Sequence, residues 1–129
     1  MITFNKTILF TDTDGRARFK DEIIPLAGGT PAAMLSQLFT SGGYQLRHSP
    51  VGFRSQFHCT GAAAQWVFIL SGRMGIGLQD GSLREFKAGE HFYSADHLPD
   101  EATFDANVHG HWSCQLGDEP LVTLFVRGT

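Results

Sequence analysis

The sequence predicts an all-β domain, and three observations lead to that class. Short stretches rich in β-branched and aromatic residues recur at intervals of about ten residues, with turn-forming sequences between them. The chain contains 15 glycines and 11 phenylalanines, a composition that suits short strands joined by tight turns. No stretch of useful length shows the apolar period of a helix. We therefore expect a sandwich or barrel rather than strands alternating with helices.

The N-terminal third supplies the first strands. Residues 7–12 are rich in β-formers and lead into turn residues 13–16, and residues 19–26 form a second apolar run that ends near Pro25 and the Gly28-Gly29 pair. Residues 31–40 could be helix or strand, and the nearby glycines favour a strand. Residues 44–48 form the next expected strand. We expect these strands, within about residues 1–50, to pack on a central barrel.

The middle of the chain carries clearer strand signals. Residues 53–59 place Phe53, Ser55 and Phe57 on one side of the chain, as in a half-buried strand. Residues 65–70 and 74–78 form continuous apolar strands, and Asp80-Gly81 before residues 83–86 is a strong hairpin signal.

The C-terminal part completes the predicted strands. Residues 92–93, 108–114 and 121–126 have strand character. Between them, residues 95–107 form one long polar insert, which we expect to be a loop that covers one mouth of the barrel. A single domain, residues 1–129, accounts for the whole chain, because domains of about 100–150 residues are the commonest.

Composition and charge exclude several function classes. Hydrophobic residues make up 42% and charged residues 18% of the chain, which rules out extended disorder. The net charge is −3 without a basic cluster, so nucleic acid is not an expected partner. The longest apolar stretch, residues 66–70, is far too short to span a membrane.

The cysteines and the N-terminus predict a cytoplasmic protein. Residues 1–10 alternate in polarity and do not resemble a secretory signal. Cys59 and Cys114 are the two cysteines, and they do not form a CxxC pair. Reduced thiols are therefore expected, rather than a disulfide framework or a structural zinc site.

Polar side chains from distant parts of the sequence are expected to meet inside the barrel. His58 and Thr60 lie two residues apart on one strand and face the same way, and Gln65 begins the next strand. His109 and His111 flank one glycine on a late strand, so the same argument gives them a common face. Inward residues of neighbouring strands converge on a cavity in a small barrel. A metal or ligand site built from imidazoles and an amide is therefore predicted.

Two motifs resemble those of the cupin superfamily. The pattern His58-x-Thr60-x4-Gln65-x6-Gly72 is similar to the first cupin motif, His-x-His-x(3–4)-Glu-x6-Gly. The segment Gly81-x5-Lys87-Ala-Gly89 resembles the opening of the second motif, Gly-x5-Pro-x-Gly. The likeness is to small single-domain bacterial cupins and implies a cupin-type double-stranded β-helix, a jelly-roll barrel.

The resemblance implies a degenerate metal centre. His58, Gln65 and His111 match the ligand positions, whereas Thr60 replaces the second histidine and Gln65 the glutamate. A neutral amide offsets the charge of a divalent ion less well than a carboxylate does, so the affinity for Fe, Mn, Ni or Zn should be weak. The predicted ligand-binding residues near this centre are Thr60, Tyr93, Asp96 and His109.

Two functions remain open at this point. The first is a small-molecule enzyme with a degenerate divalent-metal site, implied by the resemblance to be an isomerase, lyase or dioxygenase. The second is a metal-free cupin that binds or senses a small polar organic ligand without catalysis. Small cupins commonly pair, so the resemblance also implies a homodimer, with residues 6–10 as a candidate edge strand.

Overall fold

The protein is all-β, as the sequence predicted. The computed structural model describes residues 1–61 and 63–128, and these contain eleven strands and no helix. In chain order the strands are β1 (Thr3–Thr11), β2 (Ala17–Pro25), β3 (Gly28–Thr30), β4 (Ala33–Leu35), β5 (Tyr44–Ser49), β6 (Gln65–Ser71), β7 (Arg73–Gly77), β8 (Leu83–Lys87), β9 (His91–Ala95), β10 (Trp112–Leu116) and β11 (Leu121–Arg127). None of the described segments forms a helix long and apolar enough to cross a membrane.

Two sheets enclose the interior of the molecule. The larger sheet has six strands in the order β2-β1-β9-β6-β11-β5, and the smaller has three in the order β10-β7-β8. Neighbouring strands run antiparallel except β1 and β9, which are parallel. A short hairpin of β3 and β4 forms a separate two-stranded sheet.

One hydrophobic core joins the two sheets. It contains inward-facing side chains of β1, β2, β6, β9 and β11 from the larger sheet and of β7 and β8 from the smaller one. Each fully buried Val, Leu, Ile, Met or Phe side chain contributes about 1.5–3 kcal/mol to folding. The core residues are Leu9, Ala17, Val67, Ile69, Met74, Ile76, Leu78, Phe86, Phe92 and Leu121.

The hairpin predicted at Asp80-Gly81 is confirmed. Strands β7 and β8 pair antiparallel, and the turn closes with hydrogen bonds from the Leu78 amide to the Ser82 carbonyl and from the Gly81 amide to the Leu78 carbonyl. Gly81 has φ 86°, a left-handed conformation that glycine adopts without the steric cost of a Cβ.

Of the strands within residues 1–50, β1, β2 and β5 belong to the large sheet itself, whereas β3 and β4 form their own hairpin. Strand β1 pairs with β2 on one side and β9 on the other, and β5 pairs with β11. Residues 6–10 therefore lie on an interior strand, so the prediction that they form a dimer edge is wrong. The two edges of this sheet are β2 and β5. The homodimer itself stays a prediction.

Two predicted strands are shorter or less regular than expected. In the 31–40 region only Ala33–Leu35 forms a strand. Residues 53–59 keep the expected alternation of exposure, but their backbone pairs with the β10 region through isolated bridges at Arg54 and His58 rather than through a continuous ladder. Pro50 and Gly52 precede this segment and interrupt regular pairing.

The polar insert is a loop, but it does not cover the cavity described below. Between β9 and β10 the chain forms turns. The Gln79 Nε2 donates to the carbonyls of Ala106 (2.8 Å) and His109 (3.2 Å). His109 lies against Gly15 in the turn between β1 and β2. Residues 97–110, all of them in the described ranges, contribute nothing to the cavity wall.

Candidate functional site between the two sheets

Backbone pairing brings the two predicted histidines together. The His58 amide donates to the His111 carbonyl (2.8 Å), and the His111 amide donates to the His58 carbonyl (2.9 Å). Directly paired residues of an antiparallel bridge project their side chains to the same face. The two imidazole ring centroids are accordingly 4.7 Å apart, although 52 residues separate the histidines in the chain.

A glycine makes this close pairing feasible. Gly110 has φ +86°, and a Cβ built on it would lie 2.7 Å from the His58 carbonyl oxygen and 3.0 Å from the His58 nitrogen. These are backbone atoms of the bridge itself, so they cannot swing aside as a flexible side chain would. Only glycine fits both the left-handed conformation and the contact.

A buried carboxylate fixes the orientation of His111. His111 is 4% exposed and Asp96 is completely buried, and the His111 Nδ1–H donates to Asp96 Oδ2 at 2.8 Å. The other carboxylate oxygen accepts a hydrogen bond from the Thr11 hydroxyl at 2.7 Å. This arrangement fixes the tautomer and leaves His111 Nε2 as the ring nitrogen available to the cavity.

His58 is held by a main-chain acceptor instead. Its Nδ1 donates to the Gln56 carbonyl at 2.8 Å, which again leaves Nε2 available. Burial lowers the pKa of His58; the Gln56 carbonyl acts in the opposite direction, and the nearby His111 and Arg47 lower the pKa further. The net lowering of the pKa favours the neutral imidazole of His58.

The two histidines line a cavity of about 190 Å³ between the sheets. At roughly 30 Å³ per water molecule, that is room for about six waters or a small organic ligand. Its wall combines polar and apolar side chains. The polar wall residues are Arg47, His58, Cys59, Thr60, Gln65, Ser94, His111 and Ser113, and the apolar ones are Val67, Met74, Ile76, Phe92 and Phe125, with Gly61 beside them.

The structure brings some of the predicted site residues together and separates others. His58, Gln65, His111 and Thr60 all line the cavity. The Thr60 hydroxyl, however, is 2.8 Å from the Ser94 hydroxyl and accepts from the Asp96 amide at 3.1 Å, so it serves mainly to tie the wall together.

Three predicted ligand-binding residues lie off the cavity. Tyr93 points to the outer face of the large sheet, where its ring contacts Trp66. Asp96 lies behind His111 and uses both carboxylate oxygens on protein partners. His109 is not on the face of His111, because Gly110 between them has φ 86° and the His109 Nδ1 accepts from the Asp105 amide in the insert. Residues i and i+2 share a face only in a regular strand, and β10 begins only at Trp112.

Sequence reasoning missed two groups that shape the site. Arg47 on β5 lines the cavity, with its guanidinium 4.7 Å from the centre of the Phe53 ring. Thr11 on β1 supports Asp96. Alternation along residues 44–48 could have placed Arg47 opposite Leu46, but no motif indicated which side faces inward.

The donor set does not fit a tightly bound divalent metal ion. Two imidazole nitrogens and the Gln65 amide face the cavity, and none of them carries a negative charge. The described residues, 1–61 and 63–128, contain no group of three or more His, Cys, Asp or Glu side chains placed to hold a metal. The Arg47 guanidinium adds positive charge to the wall, which opposes a second cation.

Solved structures that resemble this chain include cupins. A cupin protein from Bacteroides fragilis is 25% identical over 67% of this chain, with a TM-score of 0.46. Oxalate decarboxylase from Bacillus subtilis, described with Mn(II) centres, is 26% identical over 66% of the chain, with a TM-score of 0.44. The Cnp3 cupin domain of Schizosaccharomyces pombe is 14% identical over 98% of the chain, with a TM-score of 0.48.

These likenesses cover unequal parts of the other proteins. The chain spans 64% of the Bacteroides protein, 21% of the decarboxylase and 83% of the Cnp3 domain.

No protein-family model matches the sequence, and no curated protein sequence matches it. The two sheets around one core, with the polar cavity between them, fit the all-β cupin-type fold predicted from the sequence.

Proposed function

We propose that the cavity between the sheets binds a small organic acid without a resident metal ion. The observation that carries this proposal is the charge of the wall. It contains one guanidinium, two imidazoles and an amide, and among the described residues no carboxylate lines it. A ligand that carries a carboxylate complements this set, whereas a divalent cation does not.

Each polar group has a distinct role in this proposal. Arg47 supplies paired N–H donors in the geometry that suits a carboxylate. The Gln65 amide donates to or accepts from a second polar group of the ligand. His58 and His111 present Nε2 atoms whose orientation is fixed from behind, so little conformational entropy is lost when a ligand binds. The apolar wall residues offer contact area for the non-polar part of such a ligand.

Matched acids and amides test the charge requirement. We expect malonate and benzoate to bind in calorimetry after treatment of the protein with EDTA, and malonamide and benzamide to bind at least about tenfold more weakly. Arg47→Gln should abolish the preference for the acids. Arg84→Gln, which removes the same charge at an exposed site over Phe19 and Phe86, should leave it unchanged. Equal binding of acids and amides, or no binding of either, contradicts the proposal.

A metal-dependent enzyme is the second candidate, and one observation favours it. Both His58 and His111 donate Nδ1–H to an acceptor behind them, which is the arrangement common to metal-ligating histidines. Elemental analysis and titration with Mn²⁺, Fe²⁺, Ni²⁺ and Zn²⁺ separate the candidates. Stoichiometric metal that is lost in His111→Gln, together with acid binding only after metal addition, would replace the metal-free proposal with this one.

A further inference from the structure

The outer face of the large sheet carries an aromatic cluster. Trp66 and Phe68 stack with ring centroids 5.6 Å apart and an interplanar angle of 2°. Phe4 and His91 lie 4.8 Å apart, and the Tyr93 ring meets Trp66 edge-on at 5.6 Å. These five residues, here called the outer cluster, lie on the side of the sheet opposite the core residues Val67 and Phe92.

An apolar groove borders the outer cluster. It has a volume of about 360 Å³, within the size range of small-molecule sites. The end of β2 and the segment that follows β4 also contribute to its wall. Its wall consists of Phe4, Ile24, Leu26, Ser36, Phe39, Trp66, Phe68 and Val126.

A lysine with a largely buried side chain lies beside this groove, next to the wall residue Trp66. Lys6 is only 7% exposed, and its Nζ is 3.8 Å from the centre of the Tyr93 ring and 4.8 Å from that of Trp66. Burial lowers the pKa of Lys6, and the charge of Glu22 partly offsets this. Glu22 is the register partner of Lys6 across β1 and β2, yet the two form no salt bridge in the part of the chain that the structure describes.

Aromatic faces compensate a buried cation incompletely. Cation–π contacts stabilise a partly desolvated ammonium, but aromatic rings do not replace the hydrogen bonds that the ammonium gives up when it leaves water. A hydrogen-bonding anion would supply the missing compensation. Trp66 connects the two features, because its ring both lines the groove and lies below the Lys6 ammonium.

We propose that the outer groove binds a medium-chain carboxylate, with the hydrocarbon chain along the aromatic wall and the carboxylate paired with Lys6. Apolar burial supplies most of the binding energy, and the ion pair sets the preference for an acid over a neutral analogue. This site is separate from the cavity between the sheets and does not depend on the function proposed for it.

Fluorescence of Trp66 tests the site directly. In a Trp112→Phe variant Trp66 is the remaining tryptophan, and decanoate and decanol serve as charged and neutral probes. We expect both to change the Trp66 emission, with decanoate binding about tenfold more tightly. In that background Lys6→Met should remove the preference and leave decanol binding unchanged. Lys6→Arg should preserve the preference.

Lys20→Met is the matched control. It removes the same charge from an exposed lysine on β2 whose Nζ lies 4.6 Å from the Phe10 ring, and it should not alter either affinity. The proposal is overturned if neither probe binds, if decanoate and decanol bind equally, or if Lys20→Met acts as Lys6→Met does. It is also overturned if light scattering shows a dimer and probe binding weakens as the protein concentration rises, because a second copy then occupies the groove.

Discussion

Strands β6 and β9 present two different chemistries on their opposite faces. Inward, Gln65 and Ser94 line the cavity beside the core residues Val67 and Phe92. Outward, the same two strands carry the aromatic rings of Trp66, Phe68, His91 and Tyr93. Neighbouring residues in the sequence thus serve two sites, because side chains alternate across a strand.

The two faces also differ in how their polar groups are held. On the inner face the histidines have protein acceptors behind them, Asp96 for His111 and the Gln56 carbonyl for His58. On the outer face the Lys6 ammonium lies against aromatic rings. The inner site is therefore pre-organised by hydrogen bonds, and the outer one depends on desolvation and on the partner that binds there.

The largest expected effect comes from disturbing the bridge that joins the inner histidines. Gly110→Ala would force a Cβ against the His58 backbone at a positive φ, so we expect the free energy of unfolding to fall by about 3 kcal/mol or more. Denaturant unfolding measures this loss.

Gly81→Ala is the control for that substitution. Gly81 has the same φ of +86°, but nothing lies within 4 Å of the added Cβ. The free energy of unfolding of Gly81→Ala should therefore fall only by the cost of the left-handed conformation, about 1–2 kcal/mol. Equal losses in the two variants would show that the close approach at His58 does not matter.

An intermediate effect is expected from the buried carboxylate behind His111. Asp96→Asn removes the charged acceptor of the Nδ1–H and of the Thr11 hydroxyl, so stability should fall by about 2 kcal/mol. The ¹⁵N chemical shifts of the His111 ring should change at the same time, since the tautomer is no longer fixed. The exposed Asp100 provides the control, Asp100→Asn. If the two variants unfold alike and the His111 signals do not move, Asp96 does not orient the imidazole.

The smallest expected effect is on how the free energy of unfolding depends on pH, through His91 on the outer face. Burial lowers the pKa of His91, and the charges of Lys6 and Arg84 lower it further. The unfolded chain, with an ordinary pKa of about 6.5, binds a proton before the folded one does. Stability is therefore lost as the pH falls below about 6.5 and through the folded pKa.

His91→Gln should reduce that loss. Glutamine can still accept the Thr7 amide, which now donates to His91 Nε2 at 3.3 Å, and it does not titrate. We expect a shallower decline of the unfolding free energy between about pH 7 and pH 5. The exposed His48, changed to Gln, is the comparison. If His91→Gln does not change the slope of the unfolding free energy against pH, the protonation of His91 is not coupled to folding.

Much of the strand architecture could be predicted from local sequence. The Asp80-Gly81 turn and the apolar runs of β6, β7 and β11 carry short-range signals that survive in the fold. Residues 53–59 show the limit of such signals. Their alternation predicted a strand, and exposure does alternate, yet only isolated bridges form there. Pairing depends on a partner strand, which local periodicity does not describe.

The candidate site was predictable only in part. The motif spacing identified His58 and Gln65, and the structure places both in the wall of one cavity with His111. Arg47 was missed because the apolar residues of its strand face outward: Tyr44 is 74% and Leu46 66% exposed. A pattern of polarity would have assigned the opposite orientation to this strand.

By itself the sequence determined the all-β class, the tight turns and the alternation that gives each strand two faces, because these follow from local backbone preferences. The tertiary structure alone decided which face became interior, that Asp96 would stand behind His111, and that Lys6 would lie buried against Trp66 and Tyr93. Those outcomes depend on contacts between residues far apart in the chain, whose partners no local pattern specifies.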